Sequence, residues 1–121
     1  MKKNKKMDAK IKLYDKDKTF LRLAKNISYV LFEKGQCWVY FKDFKRHKCS
    51  MCLADILKLF PGLGLHFIHQ SKLINVNDIA KNIRYNPLLV TMRDGSKHKV
   101  SFRKQRYFIQ IKISKWIDLG Q

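Results

Sequence analysis

Alternating apolar and polar positions in the first half of the chain predict antiparallel strands. Residues 19–23 alternate, while residues 27–32 and 37–41 are short runs rich in β-branched and aromatic side chains. Residues 33–36 interrupt these two runs with polar groups and a glycine, so the two runs predict a β-hairpin. Residues 43–49 are mostly charged, and we expect a loop there.

One helix is expected near residues 50–60. Ser50 is a favourable N-cap, and the Pro61-Gly62 pair would end the helix. Apolar residues recur at helical spacing between these two signals: Leu53, Ile56, Leu57 and Phe60.

The second half of the chain again predicts strands. They are expected at residues 67–74, 83–85, 88–92 and 98–102, and the Asp94-Gly95 pair suits a tight turn between the last two. Residues 107–119 fit neither period, so a short helix and a terminal strand both stay open. The pattern therefore predicts a mostly β chain with one short helix near residues 50–60.

The charge balance narrows the class of partner. The 121 residues contain 27 Lys and Arg against 9 Asp and Glu, for a formal charge of +18. So much like charge on one small domain opposes compaction, which points to a polyanionic partner: DNA, RNA or an anionic membrane surface. Lys outnumbers Arg, which favours attraction to phosphates over dense bidentate contact with bases.

The first 18 residues are expected to form a basic tail ahead of a single domain at residues 19–121. Eight lysines lie in this segment, and we interpret it as solvated chain that adds nonspecific attraction. An arm for the minor groove is the alternative, although such arms usually rely on Arg. The segment lacks the apolar stretch of a signal peptide, and the sequence has no run of about 18 apolar residues. We therefore expect a soluble, cytoplasmic protein.

The strongest competing chemistry is the Cys49-x-x-Cys52 pair at the start of the expected helix, with His47 nearby. A structural zinc site normally needs four ligands, and Cys37 is the only other cysteine. A redox pair would be expected in a strand-helix-strand pattern, which these elements do not form. We interpret Cys52 as a helix-packing residue and Cys49 as a free, reduced thiol, and we expect neither metal nor cofactor.

An enzyme is not expected either. The acidic residues are scattered, and no pair has a convincing spacing for acid–base catalysis. The Gly62-Leu63-Gly64 run is too short for a phosphate loop, and no Ser/His/Asp order stands out. A small-molecule substrate is therefore not expected.

Two segments carry a resemblance to a known family. In residues 69–79, a His-Gln-Ser triplet precedes an apolar pair and an Asn-rich stretch that ends in Ile79. In residues 90–104, the Asp-Gly turn joins two strands, and the second ends in Val-Ser-Phe-Arg-Lys. This order resembles the LytTR DNA-binding domain over about residues 19–108, and the resemblance favours duplex DNA among the polyanions.

The resemblance implies an elongated, mostly β fold of small antiparallel sheets that places loops in successive major grooves on one face of DNA. It also implies a stand-alone transcriptional regulator that binds paired repeats, with a homodimer formed on DNA. Family contact positions, with the adjacent basic patch, correspond here to Lys34, Gln36, Cys37, His69, Gln70, Ser71, Arg103, Lys104 and Arg106. Side-chain chemistry agrees for Gln70, which could pair with adenine, and for Arg103, which could reach guanine or phosphate.

Some residues leave alternatives open. His69 could instead be a core-edge histidine bonded to backbone, and Gln70 a solvated loop residue. Phe67 and Phe102 stand where family members often carry Arg or other residues, so the bases contacted are undetermined. RNA binding is the competing function: the aromatic residues Trp38, Tyr40 and Phe41 could stack on unpaired bases, although they alternate on an expected strand.

Overall fold

The computed structural model describes residues 9–84 and 88–105 of the chain, and these form two antiparallel sheets and one α-helix. The mostly β prediction with one short helix is confirmed. The strands are β1 Lys10–Asp15, β2 Lys18–Leu23, β3 Ile27–Glu33, β4 Gln36–Phe41, β5 Arg46–Cys49, β6 Leu65–His69, β7 Lys72–Asn75, β8 Ile79–Arg84, β9 Leu89–Met92 and β10 Lys97–Lys99. Helix α1 spans Leu53–Leu59, 3₁₀ turns occur at Ala24–Asn26 and Val76–Asp78, and residues 102–105 are helical.

Strand β3 is central to the packing. The large sheet has the order β2-β1-β5-β4-β3-β7-β6, and the small sheet has the order β10-β9-β8. The first five residues of β3, Ile27 to Leu31, are all buried, so this strand is covered on both faces. A bulge between Ile27 and Tyr29 adds one residue to the strand, which lets Ile27 and Val30 enter the same core.

Each face of the large sheet has its own apolar core. On one face, strand residues such as Leu13, Val30 and Val39 pack against Ile56 and Phe60 of the helical region. On the other face, the residues of the large sheet and the small sheet meet: Tyr29, Leu31, Ile68, Ile74, Val90, Met92 and Val100. The fold is therefore a helix, a large sheet and a small sheet stacked in that order.

The expected basic tail is shorter than the sequence indicates. Residues 10–15 form β1, which pairs along its length with β2 and reaches β5 through Tyr14 and Lys48. Ile11 and Leu13 are fully buried, while Lys10 and Lys12 between them are exposed. The sequence placed residues 10–15 in the tail because their exposed lysines, which lie on the solvent face of β1, obscure the alternation of Ile11 and Leu13.

Other boundaries also differ from the prediction. Part of the charged stretch at residues 43–49 is strand β5, and the expected single strand at 67–74 is the hairpin β6–β7 with its turn at Gln70-Ser71. Strand β10 ends at Lys99, so Phe102 belongs to the helical residues 102–105 instead of to a strand. The open question about residues 107–119 lies outside the described residues.

The helix begins two residues later than the expected Ser50 cap indicates, and this exchanges the roles of two cysteines. Cys52, not Ser50, is the N-cap residue, and its side chain makes no capping hydrogen bond. Cys52 is exposed, whereas Cys49 is buried at the end of β5. Cys49 is therefore the packing residue and Cys52 the accessible thiol.

Two glycines with similar φ angles test the close approach of the backbone at Gly64 to the side chains of Asn75 and Asn77. Gly64 and Gly95 have φ values of +87° and +89°, but an added Cβ at Gly64 would lie 2.6 Å from Nδ2 of Asn77, whereas at Gly95 it would meet nothing within 4 Å. Gly95→Ala should lower the free energy of unfolding by about 1–2 kcal/mol from the φ angle alone. Gly64→Ala should lower it more in urea denaturation, because the added Cβ would also lie 3.0 Å from Oδ1 of Asn75, which is buried and held by its hydrogen bonds to Ile27 and Asn77. Equal losses would contradict this packing.

Candidate nucleic-acid interface

Two of the expected contact turns lie at the same end of the large sheet. Strand β3 ends at Glu33 and leads into the Lys34-Gly35 turn, while β7 begins at Lys72, just after the Gln70-Ser71 turn. The two strands pair antiparallel with Leu31 opposite Lys72. The amide of Phe32 donates a hydrogen bond to the carbonyl of Ser71 over 3.0 Å, which holds the two turns side by side.

The third expected segment, residues 103–104, is attached to the second. The amide of Ser101 donates to the carbonyl of Ile68 over 2.7 Å, and Lys104 Nζ lies 5.6 Å from the ring centroid of Phe67. A cleft of about 680 Å³ results, lined by Phe67, His69, Gln70, Ser101, Phe102, Arg103 and Lys104. Residues more than thirty positions apart in sequence therefore share one surface.

The predicted residues in this cleft differ in how accessible they are. Gln70 and Arg103 are exposed, as is Lys34 at the neighbouring turn. His69 is half-buried, and its Nδ1 accepts a hydrogen bond from the Ser71 amide at 3.1 Å and lies 2.9 Å from Ser71 Oγ. Because Nδ1 is an acceptor, the neutral ring carries its proton on Nε2. His69 and Ser71 therefore shape the turn through their mutual contacts.

Cys37 is a correction to the predicted contact set. It is 3% exposed and lies in the core that faces the helix. Its partner across the sheet is Cys49, and hydrogen bonding to that thiol together with burial raises the pKa of Cys37. A buried, protonated thiol is not available to contact DNA.

Gln36 serves the sheet itself. Its Nε2 donates to the carbonyl of Cys37 at 3.0 Å and lies 3.4 Å from the carbonyl of Cys49, and its Oε1 accepts from the hydroxyl of Tyr14. These contacts connect β4 to β5 and β1. Arg106, the last of the predicted contact residues, lies outside the described residues.

The aromatic residues that suggested RNA stacking are engaged within the protein. Phe41 is buried, and Tyr40 stacks on Tyr29 with ring centroids 4.4 Å apart. The guanidinium of Arg46 lies 4.1 Å from the ring centroid of Trp38. These three rings do not form an open stacking platform.

The structure adds Lys72 and Lys99, which the sequence did not single out, to the surface around Phe102. Phe102 is 89% exposed and stands between the first cleft and a second one of about 610 Å³, which Lys72 and Lys99 also line. Lys99 was assigned only to a strand, and Lys72 only to the segment after the His-Gln-Ser triplet. Among the described residues that line the two clefts, none is acidic. The combined surface is therefore basic.

A polar network supports this surface from between the sheets. The hydroxyl of Tyr29 on β3 donates to Asp94 Oδ2 at 2.7 Å, and Ser96 Oγ lies 2.6 Å from Asp94 Oδ1 and 2.8 Å from His98 Nε2. Burial, followed by the nearby positive charge of Lys72, lowers the pKa of His98 to about 4. His98 is therefore neutral near pH 7, and it anchors the strand that leads into residues 101–105.

This arrangement defines a basic antiparallel domain that presents turns and a short helical segment on one surface, as expected for a nucleic-acid-binding domain. The family model of the LytTr DNA-binding domain matches residues 17–112, and the chain belongs to this family. The LytTR prediction made from the sequence is confirmed, and the family is one of DNA-binding domains that act in transcription regulation.

A solved structure supports the same fold. It is the LytTr DNA-binding domain of a Bacillus cereus protein described as a methyl-accepting/DNA response regulator, with a TM-score of 0.74 and 21% identity. The match covers 84% of this chain and 94% of that one. Comparison with curated proteins gives no match.

Two further observations concern the alternatives of a metal site and of a membrane-bound protein. Across residues 9–84 and 88–105, no group of three or more His, Cys, Asp or Glu side chains could hold a metal ion. In the same part of the chain, no helix is long and apolar enough to cross a membrane.

Acid should weaken the fold through His98. Its pKa is about 4 when folded and 6.5 ordinarily, so between these values the unfolded chain binds a proton that the folded protein does not. The free energy of unfolding should therefore fall as pH decreases from 6.5 toward 4, by roughly 1 kcal/mol per pH unit. Urea denaturation at several pH values would measure this slope. In His98→Gln the slope should be smaller; an unchanged slope would exclude His98 as its source.

Proposed function

We propose that this protein regulates transcription by binding duplex DNA sequence-specifically, with the Lys34 turn, the Gln70 turn and the Arg103 segment placed in the major groove. One observation carries the proposal most directly. The backbone hydrogen bond between Ser101 and Ile68 brings Gln70 and Arg103, which are both exposed, to a single basic cleft in a LytTr domain. The two side chains suit complementary tasks on a duplex.

Side-chain chemistry supports a division between base contact and backbone contact. The amide of Gln70 offers a donor and an acceptor that match the major-groove edge of adenine, and the guanidinium of Arg103 matches guanine. Lys104 and Lys34 carry ammonium groups on flexible stems, which suit phosphates and distinguish little between sequences. The proposed site therefore combines a few specific contacts with a wide electrostatic attraction.

We further propose that two copies occupy paired repeats on one face of the DNA. The family relationship supports this arrangement. Selection of bound sequences from a random duplex pool tests both points, because repeats with a constant spacing should emerge. Binding to duplex DNA, single-stranded RNA and anionic vesicles at one salt concentration would separate the partner classes.

Substitutions in the shared cleft should separate specific from nonspecific contacts. Arg103→Ala should weaken binding to the selected duplex by about 1–3 kcal/mol and affect a scrambled duplex less. Gln70→Ala should relax the preference at one base position. Lys104→Ala should weaken both duplexes about equally, because phosphate contact carries no sequence information. Titrations on both duplexes at one salt concentration provide the measurement.

Lys58 is a charge-matched control for these variants, because it is exposed on α1, which packs on the other face of the large sheet. Lys58→Ala should change binding least. For each variant, the loss of affinity on the selected duplex is compared with the loss on the scrambled duplex. If the two losses were equal for every variant, no contact would depend on the DNA sequence, and the sequence-specific proposal would fail.

The first residues should contribute charge without specificity. Deletion of residues 1–6 removes four lysines, so the fall of log K with log salt concentration should become less steep by about 0.9 for each phosphate that these lysines neutralise. The preferred sequence should stay the same, because β1 begins only at Lys10. Titration over a salt series and a repeat of the selection would check both results. A changed preferred sequence would show instead that these residues contact bases.

A further inference from the structure

Strands β4 and β5 carry a second basic feature, separate from the cleft that contains Gln70 and Arg103. Trp38 and Tyr40 occupy alternate positions on β4, opposite Lys48 and Arg46 of β5 respectively. A cleft of about 370 Å³ lies beside them, lined by Glu33, Lys34, Gln36, Trp38, Arg46 and Lys48. The sequence predicted no role for Arg46 or Lys48.

Arg46 is held in a defined orientation by its aromatic neighbours. Its guanidinium carbon lies 4.1 Å from the ring centroid of Trp38 and 5.9 Å from that of Tyr40, although Tyr40 is its direct cross-strand partner. One of its nitrogens, Nη1, donates a hydrogen bond to the Tyr40 hydroxyl over 3.1 Å. The side chain therefore leans along the sheet toward the end that carries the Lys34 turn. Such ordering lowers the entropy that Arg46 would lose on binding an anion.

The charge of this group is not balanced within the described part of the protein. Neither Arg46 nor Lys48 forms an ion pair with a described carboxylate, whereas Arg22 binds Asp43 with an N–O distance of 2.8 Å. Lys48 Nζ lies 5.6 Å from the Trp38 ring, so two cations share one aromatic platform. With Lys34, three positive groups line the small cleft against one acidic residue, Glu33. An anion is the ligand that this arrangement suits.

The order of the strands places the group on a continuation of the proposed DNA surface. The Arg103 segment and the Gln70 turn lie beside β6 and β7, the Lys34 turn joins β3 to β4, and β5 follows on the far side of β4. Lys34 belongs both to the turn and to the small cleft. A DNA backbone that leaves the Lys34 turn in this direction would meet Lys48 and Arg46 next.

We propose that Arg46, Lys48 and Lys34 bind a phosphate of the DNA backbone beside the Lys34 turn, beyond the bases proposed to contact Gln70 and Arg103, with Trp38 as the positioning residue for Arg46. This inference rests on the proposed function, since it assumes a duplex at the Lys34 turn. It assigns to β5 a role that requires no base contact. The planar guanidinium suits two parallel hydrogen bonds to phosphate oxygens, and the ammonium of Lys48 adds a point charge.

Arg46→Ala tests the phosphate contact, and Arg22→Ala is its matched control. Arg22 also lies over an aromatic ring, at 4.0 Å from the centroid of Phe41, but Asp43 neutralises its charge. Arg46→Ala should weaken binding to selected and scrambled duplexes alike, by about tenfold, as expected for the loss of one charge-assisted hydrogen bond. It should also reduce the salt slope by about 0.9, whereas Arg22→Ala should change neither quantity to that extent.

Neutral methylphosphonate groups, placed singly along the selected duplex, locate the contact. The wild-type protein should lose affinity at a phosphate outside the selected bases, and Arg46→Ala should be insensitive at that one position while it keeps the others. Trp38→Leu removes the ring that holds Arg46, so it should be insensitive at the same position, whereas Trp38→Phe keeps a ring and should retain part of the wild-type response. If Trp38 acts only through Arg46, the double variant Trp38→Leu with Arg46→Ala should bind no more weakly than Arg46→Ala. Thermal unfolding would confirm that each variant is folded.

The outcomes separate this inference from the proposed function. If the wild-type protein selects a duplex but Arg46→Ala keeps the same methylphosphonate pattern and salt slope, the phosphate contact is refuted and the proposed function stands. If the wild-type protein selects no duplex sequence, the proposed function fails first. A loss confined to the selected duplex would show that Arg46 contacts bases, which also overturns the phosphate assignment.

Discussion

The burial of β3 on both faces is the constraint on which the rest of the structure depends. A strand covered on one side by a helix and on the other by a second sheet must be apolar at consecutive positions, and Ile27 to Leu31 satisfy this with only Ser28 as a polar exception. The bulge near Ser28 distributes the side chains between the two cores. Because β3 ends at the Lys34 turn and pairs with β7, the strand that holds the layers together also positions two of the proposed contact turns.

Polar contacts within the layers complete this arrangement. Ser28 donates to Asp78, whose carboxylate is fully buried and lies 2.8 Å from Nε of Arg93. The side-chain hydrogen bonds that start from β3, at Ser28 and at Tyr29, reach the turn before β8 and the turn between β9 and β10. A buried carboxylate is stable only when it is paired, so these contacts favour one docking position of the small sheet. The position of the small sheet in turn fixes the segment that contains Arg103, because the amides of Val100 and Ser101 donate hydrogen bonds to the carbonyls of Leu88 and Ile68.

The sequence predicted the elements whose signals are local. The β3–β4 hairpin was found because two β-rich runs flank a glycine-containing turn, and the family resemblance identified the segments around Gln70 and Arg103. Strand β1 was missed because Lys10 and Lys12 obscured the alternation of Ile11 and Leu13, and the turn at Gln70-Ser71 contains neither Gly nor Pro. Cys37 was misassigned because it was carried over as a family contact position, and the resemblance does not tell which side chains next to the turn are buried. The Arg46 and Trp38 pair was invisible in sequence because it depends on the register between β4 and β5.

The two walls of the cleft at Gln70 and Arg103 belong to different layers of the protein. Gln70 follows β6 of the large sheet, while Arg103 follows β10 of the small sheet. The hydrogen bond from the Ser101 amide to the Ile68 carbonyl spans the boundary between the two sheets. A ligand that touches both walls acts as a clamp across this boundary. By thermodynamic linkage, the factor by which such a ligand favours the docked layers equals the factor by which docking of the layers raises the affinity for the ligand. Substitutions in the buried network around His98 that shift the docking of the layers would then change the affinity without contact with the ligand.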